Sequence, residues 1–327
     1  MGHGMRQFVV CLASALFAGS AGFAAPIRVA TFNLENYLAM DRRVDGHFRP
    51  NYPKPESEKA AVRDVIHRVH PAVLVIQEMG PAPYLEELRR DLAQEGSDFP
   101  YSFLVEGPDA ERHVAILSTE PFTRVTSHTA LEFKYLGGLE HVKRGLAEIA
   151  FAAPGGTWSL FAVHLKSRYT DHPEDPLSAE RRVLEARAIR DVVLERFPDP
   201  AAARFLIIGD FNDTTASKTL NALQHRGKLV IARPIPAGDS RGETWTHRFL
   251  AEDLYSRVDF VLSSPGLWPG IVGQRGMIDD GETALRGSDH RLVYCDFEVA
   301  PLDSAAVDVS PHDTRQEAPA GKDEDAN

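Results

Sequence analysis

Polar residues of the types that bind metal ions and transfer protons recur in this sequence where apolar segments end. Asn33 and Glu35 follow the first such segment, and Glu78 follows a later one. The other members of the set are His164, Asp210, Asn212, Asp259, Asp289 and His290. In α/β proteins, side chains at strand ends can converge without leaving unpaired charge in the core. The pattern therefore predicts one polar site assembled from several separate segments.

The residue types indicate the chemistry of this site. Its candidate metal ligands are carboxylate and amide oxygens, and no cysteine belongs to the set. Oxygen ligands suit a hard cation, so the sequence predicts Mg²⁺ or Mn²⁺ rather than structural zinc.

Two pairs of residues have complementary properties. Asp210 and Asn212 lie two residues apart, and on an extended segment their side chains would point to the same side and act on one atom. Asp259 and His290 would form a carboxylate–imidazole pair, which holds the ring protonated toward a phosphate oxygen that gains charge. Together with a metal ion, these groups predict attack of water on phosphorus.

The two ends of the chain differ from its body. Arg6, an apolar run over residues 8–17 and small residues at Gly22 and Ala24 predict a secretory signal peptide over residues 1–24, with an uncleaved anchor as the alternative. Residues 301–327 are rich in acids, Ala, Pro and Ser, and predict a disordered acidic tail. We therefore expect a secreted or periplasmic monomer without stable membrane insertion, whose single domain covers residues 25–300.

Charge and cysteine content exclude some classes of protein. The formal net charge is −11 at pH 7, so the chain does not bind nucleic acid through general basicity. Cleavage after Ala24 would leave Cys295 as the sole cysteine, which excludes an intramolecular disulfide bond.

Strands and helices alternate along the body. Continuous apolar runs, such as residues 72–76 and 205–208, predict strands covered on both faces. Helical spacing is found over residues 57–69, with Ser57 as N-cap, and over residues 84–92 and 178–197. Many strands with few helices favour an α/β (α+β) fold in which two packed mixed β-sheets are flanked by helices as a four-layer sandwich. The polar segments 40–56 and 167–176 are predicted to be loops that form substrate walls.

Six short motifs give the sequence a specific resemblance. They read TFNLEN, VIQE, VHLKS, IGDFN, RVDF and GSDH, and lie at residues 31–36, 75–78, 163–167, 208–212, 257–260 and 287–290. Their order and spacing resemble the endonuclease/exonuclease/phosphatase superfamily, which includes deoxyribonuclease I, abasic-site endonucleases, neutral sphingomyelinases and inositol polyphosphate phosphatases. The resemblance spans residues 28–297 and implies a deoxyribonuclease I-like fold and a metal-dependent phosphoesterase.

The resemblance also implies a role for each matching position. Glu78 resembles the principal metal ligand, and the supporting positions are Asn33, Asp289 and, less directly, Glu35. Asp210 resembles the residue that aligns or deprotonates the attacking water, with Asn212 as its partner. Asp259 and His290 resemble the aspartate–histidine pair of the family. His164 resembles a second histidine of the deoxyribonuclease and sphingomyelinase branches, which weighs against the abasic-site branch.

A few cations are candidates for substrate binding. Lys143 and Arg144 precede a predicted strand, and Lys166 and Arg168 follow His164, where they could form a positive rim for an anionic substrate. The arginines of residues 181–190 alternate with acids and are interpreted instead as the solvated face of a helix. Trp245 either stacks on a base or sugar or packs in the interior.

Three functions remain open at this stage. The leading prediction is an extracytoplasmic endonuclease or exonuclease that hydrolyses DNA or RNA. The first alternative is a phosphatase or sphingomyelinase-like enzyme acting on a phosphorylated lipid or small molecule, although the sequence contains no convincing membrane-contacting hairpin. The second is a catalytically silent binding protein, which the complete set of site residues disfavours.

Overall fold

The computed structural model describes residues 25–170 and 172–300. The predicted signal peptide at residues 1–24 and the predicted acidic tail at residues 301–327 lie outside the described residues.

The first large sheet has seven strands and mixed direction. Its central strand, Ile27–Tyr37, pairs parallel to Val73–Met79 and antiparallel to Val293–Phe297. In spatial order the strands are Ala237–Gly238, Gly276–Ile278, Val293–Phe297, Ile27–Tyr37, Val73–Met79, His113–Ser118 and Tyr101–Val105.

The second large sheet has six strands and is also mixed. Gly156–His164 runs parallel to Phe205–Asp210, and its other neighbour is antiparallel. In spatial order the strands are Arg233–Pro234, Asp259–Ser263, Phe205–Asp210, Gly156–His164, Leu146–Ala153 and Phe122–His128.

The two sheets pack face to face, and helices cover their outer faces. Val75 and Ile116 of the first sheet lie in the same buried core as Leu160 and Ile208 of the second. Helices Glu56–Val69 and Ala82–Gln94 cover the first sheet, and helices Ala179–Arg196 and Lys218–Gln224 cover the second. The predicted four-layer sandwich is confirmed, because one core lies between the two sheets and one further core lies between each sheet and its helices.

The alternation of side chains along each strand aims the polar strand ends into the space between the sheets. Along Phe205–Asp210, the side chains of Leu206 and Ile208 face the core between the sheets, and Asp210 shares their direction. Asn33 points in the same direction as Val29 of its strand, and His164 in the same direction as Leu160 and Ala162 of its own, so both side chains face the space between the sheets. The site therefore lies at one open end of the sandwich.

Two local expectations were wrong. The first helix begins at Glu56 with Pro55 as its N-cap, so Ser57 lies within the first turn and does not cap it. The segment predicted as the loop 40–56 contains a hairpin, Met40–Val44 paired with His47–Tyr52, because a turn at Asp45 and Gly46 brings two polar strands together.

Further two-stranded ribbons and short helices connect the main elements. The ribbons are Glu132–Tyr135 with Gly138–His141, His225–Arg226 with Leu229–Val230, and His247–Phe249 with Leu254–Ser256. The 3₁₀ helices are Pro176–Ser178, Leu250–Glu252, Trp268–Gly270 and Val272–Gln274. Among residues 25–170 and 172–300, no helix is both long and apolar enough to cross a membrane.

Candidate active site

Strand register brings three of the predicted residues side by side. His164 is paired with Asp210 across the parallel strands, and Asp210 is paired with Asp259 across the antiparallel ones. Gly209 permits this approach, because a Cβ on it would collide with the carbonyl oxygen of Val163. Its φ of 148° also favours glycine.

Asp210 is the centre of the hydrogen-bond network. Its Oδ1 accepts the backbone N–H of Asn212 at 2.8 Å, and its Oδ2 accepts the side-chain amides of Asn33 at 3.1 Å and Asn212 at 3.2 Å. Burial and the negative charge of Asp259 raise the pKa of Asp210 to about 7. The pKa of this carboxyl group therefore lies near neutral pH, as suits a general base.

Asn212 reaches Asp210 by a different route from the one expected. The segment is not extended at this point, since Asn212 has a φ of 51°. The left-handed turn lets its amide nitrogen contact Asp210 and also donate to the carbonyl of Leu165 at 2.9 Å. The contact was predicted, but the extended geometry was wrong.

Asp259 and His290 form a buried ion pair. Nδ1 of His290 lies 2.8 Å from Oδ2 of Asp259, and both residues are almost fully buried. Burial lowers the pKa of His290, but the charge of Asp259 and its hydrogen bond outweigh this and raise it well above the usual value. The ring is thus held as an imidazolium whose Nε2 remains able to meet an anion.

His164 has the opposite character. It is buried with its Nε2 3.7 Å from Oδ2 of Asp210, and within the described part of the chain its Nδ1 has no hydrogen-bond partner. Burial, with the charges of Arg144 and His290, lowers its pKa well below the usual value. The site therefore pairs one charged and one neutral imidazole.

The backbone is strained where Glu78 enters the site. Glu35, Asn36 and Glu78 have φ angles of 47°, 60° and 58°, in a region that non-glycine residues rarely adopt. The strain aims Glu78 at the open end of the sheets, where its Oε2 accepts the backbone N–H of Asn36 at 3.0 Å. Its Oε1 lies 3.4 Å from the side-chain amide of Asn33.

Of the residues predicted as metal ligands, Glu78 contacts Asn33 through its side chain, whereas Glu35 contacts Asn33 through its backbone N–H. Burial raises the pKa of Glu35 to about 7, and the charges of Asp289 and Glu78 add to this effect. Such crowding of carboxylates disfavours their charged forms unless a cation offsets it. The carboxylate and amide oxygens of these residues are of the type that suits a hard divalent cation such as magnesium, although Glu35, Glu78 and Asp289 do not form a cluster with ligand atoms within 4.8 Å among the described residues.

Among the described residues, two clusters of His and acidic residues have ligand atoms within 4.8 Å of one another, and Glu78 belongs to neither. One comprises Asp210, Asp259 and His290, which the hydrogen bonds above identify as a group that holds protons. The other comprises His247, Asp289 and His290. Nε2 of His247 lies 3.4 Å from Oδ2 of Asp289, and the ring centres of His247 and His290 are 4.5 Å apart.

A cationic cleft lies beside Glu78. Lys143, Arg144 and Lys166 line it, as predicted for a substrate rim, whereas Arg168 is exposed and does not line it. Arg112 also lines the cleft and was not predicted. Arg112 directly precedes the strand His113–Ser118, which is antiparallel to Val73–Met79. The start of His113–Ser118 therefore lies beside the end of Val73–Met79, close to Glu78. A search for charges before antiparallel strands would have found it.

The helix beneath this cleft carries buried charges, so the prediction of a solvated face was wrong for Arg181 and Arg182, whereas Arg187 is exposed as predicted. Arg181, Arg182 and Glu185 are all buried. Glu185 accepts the backbone N–H of Lys143 at 3.3 Å and that of Lys166 at 2.7 Å. Arg182 donates to the carbonyl of Lys166 at 2.9 Å. The helix therefore fixes both walls of the cleft.

We expect Glu185→Gln to lower the free energy of unfolding by about 1–3 kcal/mol. Glutamine keeps one acceptor oxygen, so one of the two backbone N–H groups would lose its partner and face an amide N–H. The measurement is urea denaturation. Glu195→Gln, at an exposed position of the same helix, is the control and should change stability by at most about 0.5 kcal/mol. Equal stability of the two variants would contradict this role.

Two supporting residues behind His290 were also missed. Oγ1 of Thr246 accepts the backbone N–H groups of Val258 and Asp259, at 3.0 and 3.1 Å. Arg291 is buried against Asp239 at 2.8 Å and lies 3.6 Å from the ring centre of Trp245. Trp245 therefore packs on this arginine and anchors the loop that carries His290.

Comparison with known proteins gives one family. The model described as Endonuclease/Exonuclease/phosphatase family matches residues 30–290. None of the curated proteins matches this chain significantly.

Solved structures share the fold at low sequence identity. A double mutant of beta toxin from Staphylococcus aureus with bound magnesium ions has a TM-score of 0.59 and 13% identity, covering 84% of this chain and 100% of that chain. Sphingomyelinase C from Streptomyces griseocarneus has a TM-score of 0.58 and 16% identity, with coverages of 84% and 100%. The human Nocturnin catalytic domain has a TM-score of 0.57 and 14% identity, with coverages of 84% and 94%.

Proposed function

Because the chain belongs to the endonuclease/exonuclease/phosphatase family and is a hydrolase of phosphate esters, we propose that it hydrolyses phosphodiester bonds of DNA or RNA. The observation that carries this choice is the cationic cleft that continues from Glu78, lined by Arg112, Lys143, Arg144 and Lys166. The protein as a whole is acidic, so this cleft supplies the local positive charge that a polyanionic substrate needs.

The site residues divide the proposed reaction among them. Asp210 accepts a proton from the attacking water, and the side-chain oxygen of Asn212 can accept a hydrogen bond from the same water, because both amide hydrogens of Asn212 are donated to Asp210 and Leu165. His290 donates a hydrogen bond from Nε2 to a phosphate oxygen that gains negative charge, and Asp259 keeps the ring charged. His164, which is neutral, supplies a second polar contact without adding charge.

Glu78, Asn33, Asp289 and Glu35 are the residues that would hold the divalent metal. A bound Mg²⁺ or Mn²⁺ would polarise the phosphate and offset its charge. The bound magnesium in the beta toxin structure supports this proposal. The predicted signal peptide supports an extracytoplasmic location, which mass spectrometry of the exported protein would test by finding a mature N-terminus after Ala24.

A second candidate is hydrolysis of a lipid phosphodiester. The hairpin His247–Phe249 with Leu254–Ser256 exposes Phe249 at 45%, Leu250 at 67% and Leu254 at 50% of their surfaces. It adjoins the site through a bridge between His247 and His290. The expectation that the chain has no such hairpin was wrong, because Glu252 and Asp253 interrupt its apolar residues in the sequence. An exposed apolar tip is a feature that favours contact with lipid.

The experiment is a substrate panel. The purified protein is incubated with plasmid DNA, RNA, bis-p-nitrophenyl phosphate or sphingomyelin vesicles, with Mg²⁺, Mn²⁺ or EDTA. We expect metal-dependent cleavage of DNA or RNA and of the small diester, and none in EDTA. Cleavage of sphingomyelin alone would favour the second candidate. Absence of metal-dependent hydrolysis across the panel would contradict both.

A further inference from the structure

The cleft beside Glu78 is larger and more positively charged than one phosphate requires. Its volume is about 620 Å³, within the usual range for small-molecule sites. We propose that it is a subsite for a second phosphate group of the substrate, next to the phosphate that is cleaved. This inference rests on the nucleic-acid function proposed above and narrows it to substrates with two neighbouring phosphates.

Arg144 is the residue that points most directly to an anionic ligand. It is only 7% exposed, and its Nη1 has no hydrogen-bond partner among the described residues. Among the described residues its ion-pair partner is Asp109, whose Oδ2 lies 3.3 Å from Nε, and its charge also acts on the buried carboxylate of Glu185. Buried guanidinium groups are normally hydrogen-bonded, because an unpaired charge is costly to bury. Because Arg144 lines the cleft, a phosphate held there would add an acceptor beside its guanidinium group.

The other cations are held in place around Arg144. Nε of Arg112 donates to Oδ1 of Asn36 at 2.7 Å, and the backbone of Asn36 contacts Glu78. Lys166 is buried and donates to the carbonyl oxygens of Ser167 and Tyr169. These contacts join the cleft to the catalytic residues, so a second phosphate held here would position the first.

The acids of the cleft do not cancel this charge. Asp109 accepts the backbone N–H groups of Glu111 and Arg112, at 3.1 and 3.2 Å, and so shapes the loop. The side chain of Glu111 is 69% exposed and pairs with Arg112 at the rim. Lys143 lines the cleft near Asp109, and the four cations of the cleft outnumber its three acids, Glu78, Asp109 and Glu111.

Binding without hydrolysis tests the subsite. Thymidine 3′,5′-bisphosphate and thymidine 5′-monophosphate are titrated into the full-length protein in EDTA by calorimetry. We expect the bisphosphate to bind at least about tenfold more tightly, since one charge-assisted contact is of this size. Arg144→Gln and Lys143→Gln should each reduce that ratio to below about threefold. Circular dichroism checks that the variants are folded.

Arg187→Gln is the matched control, since Arg187 is exposed on the helix Ala179–Arg196 and does not line the cleft. It should keep the preference of the wild-type protein. Equal affinity of the wild-type protein for the two nucleotides would overturn the inference. An equal loss of the preference for the bisphosphate in Arg144→Gln and Arg187→Gln would overturn it too. Hydrolysis of bis-p-nitrophenyl phosphate, which has one phosphate, tests the proposed function independently of the subsite.

Discussion

Asp210→Asn is expected to lower kcat by about 10²–10⁴-fold while leaving the fold intact. Asparagine has nearly the same shape and keeps one acceptor oxygen for the backbone N–H of Asn212, and the side-chain amides of Asn33 and Asn212 must turn to present their oxygens to its new N–H group. It cannot accept a proton, so the attacking water would lose its base. Steady-state kinetics on bis-p-nitrophenyl phosphate with Mg²⁺ measure the change. Asp98→Asn, at an exposed carboxylate, is the control and should retain wild-type kcat.

The same residue predicts a pH dependence. The pKa of Asp210 is raised to about 7 by burial and by the charge of Asp259, and only its deprotonated form accepts a proton. Activity should therefore rise as the pH increases toward this value. A bound divalent cation favours the carboxylate, so the ascending limb of kcat/KM should lie at or below about pH 7. A residual activity of Asp210→Asn with the same limb as the wild-type protein would assign the titration to another group.

Most of the candidate site was predictable from the polar residues at strand ends. The direction of such a side chain follows from the alternation of side chains along the strand. Asn33, His164 and Asp210 continue inward-facing positions of buried strands, so the apolar pattern already fixes their direction. Glu78 follows the same kind of strand, although its aim depends on a φ of 58° that the sequence does not reveal. The two-sheet architecture was predictable for the same reason.

Residues that act through tertiary packing were not predictable in this way. Glu185 lies among charged neighbours on a helix, and the sequence pattern gives no reason to bury it. It is buried because two backbone N–H groups from distant loops need an acceptor. Phe249 and Leu250 form an exposed tip only because Leu254–Ser256 pairs with His247–Phe249. Such features depend on which segments meet, which local spacing does not determine.

Asp259→Asn is expected to lower kcat on the order of 10²–10³-fold through its effect on His290. The carboxylate lies 2.8 Å from Nδ1 of the ring and, with its charge, outweighs the burial that would otherwise remove the proton. Asparagine removes that charge, so the ring should become neutral and give a weaker hydrogen bond to the developing phosphate charge. NMR titration should find a lower pKa for His290 in the variant.

A double-mutant cycle separates this mechanism from general damage. If Asp259 acts only through His290, then Asp259→Asn combined with His290→Gln should be about as slow as His290→Gln alone. Multiplicative losses would contradict the pairing. Glu95→Gln breaks a surface pair, His67 with Glu95 at 2.9 Å, together with the ion pair of Glu95 and Arg63, and none of these residues belongs to the site. Because that pair is partly exposed, its loss should leave kcat unchanged, so a large effect at Asp259 alone would assign the catalytic role to the buried imidazolium.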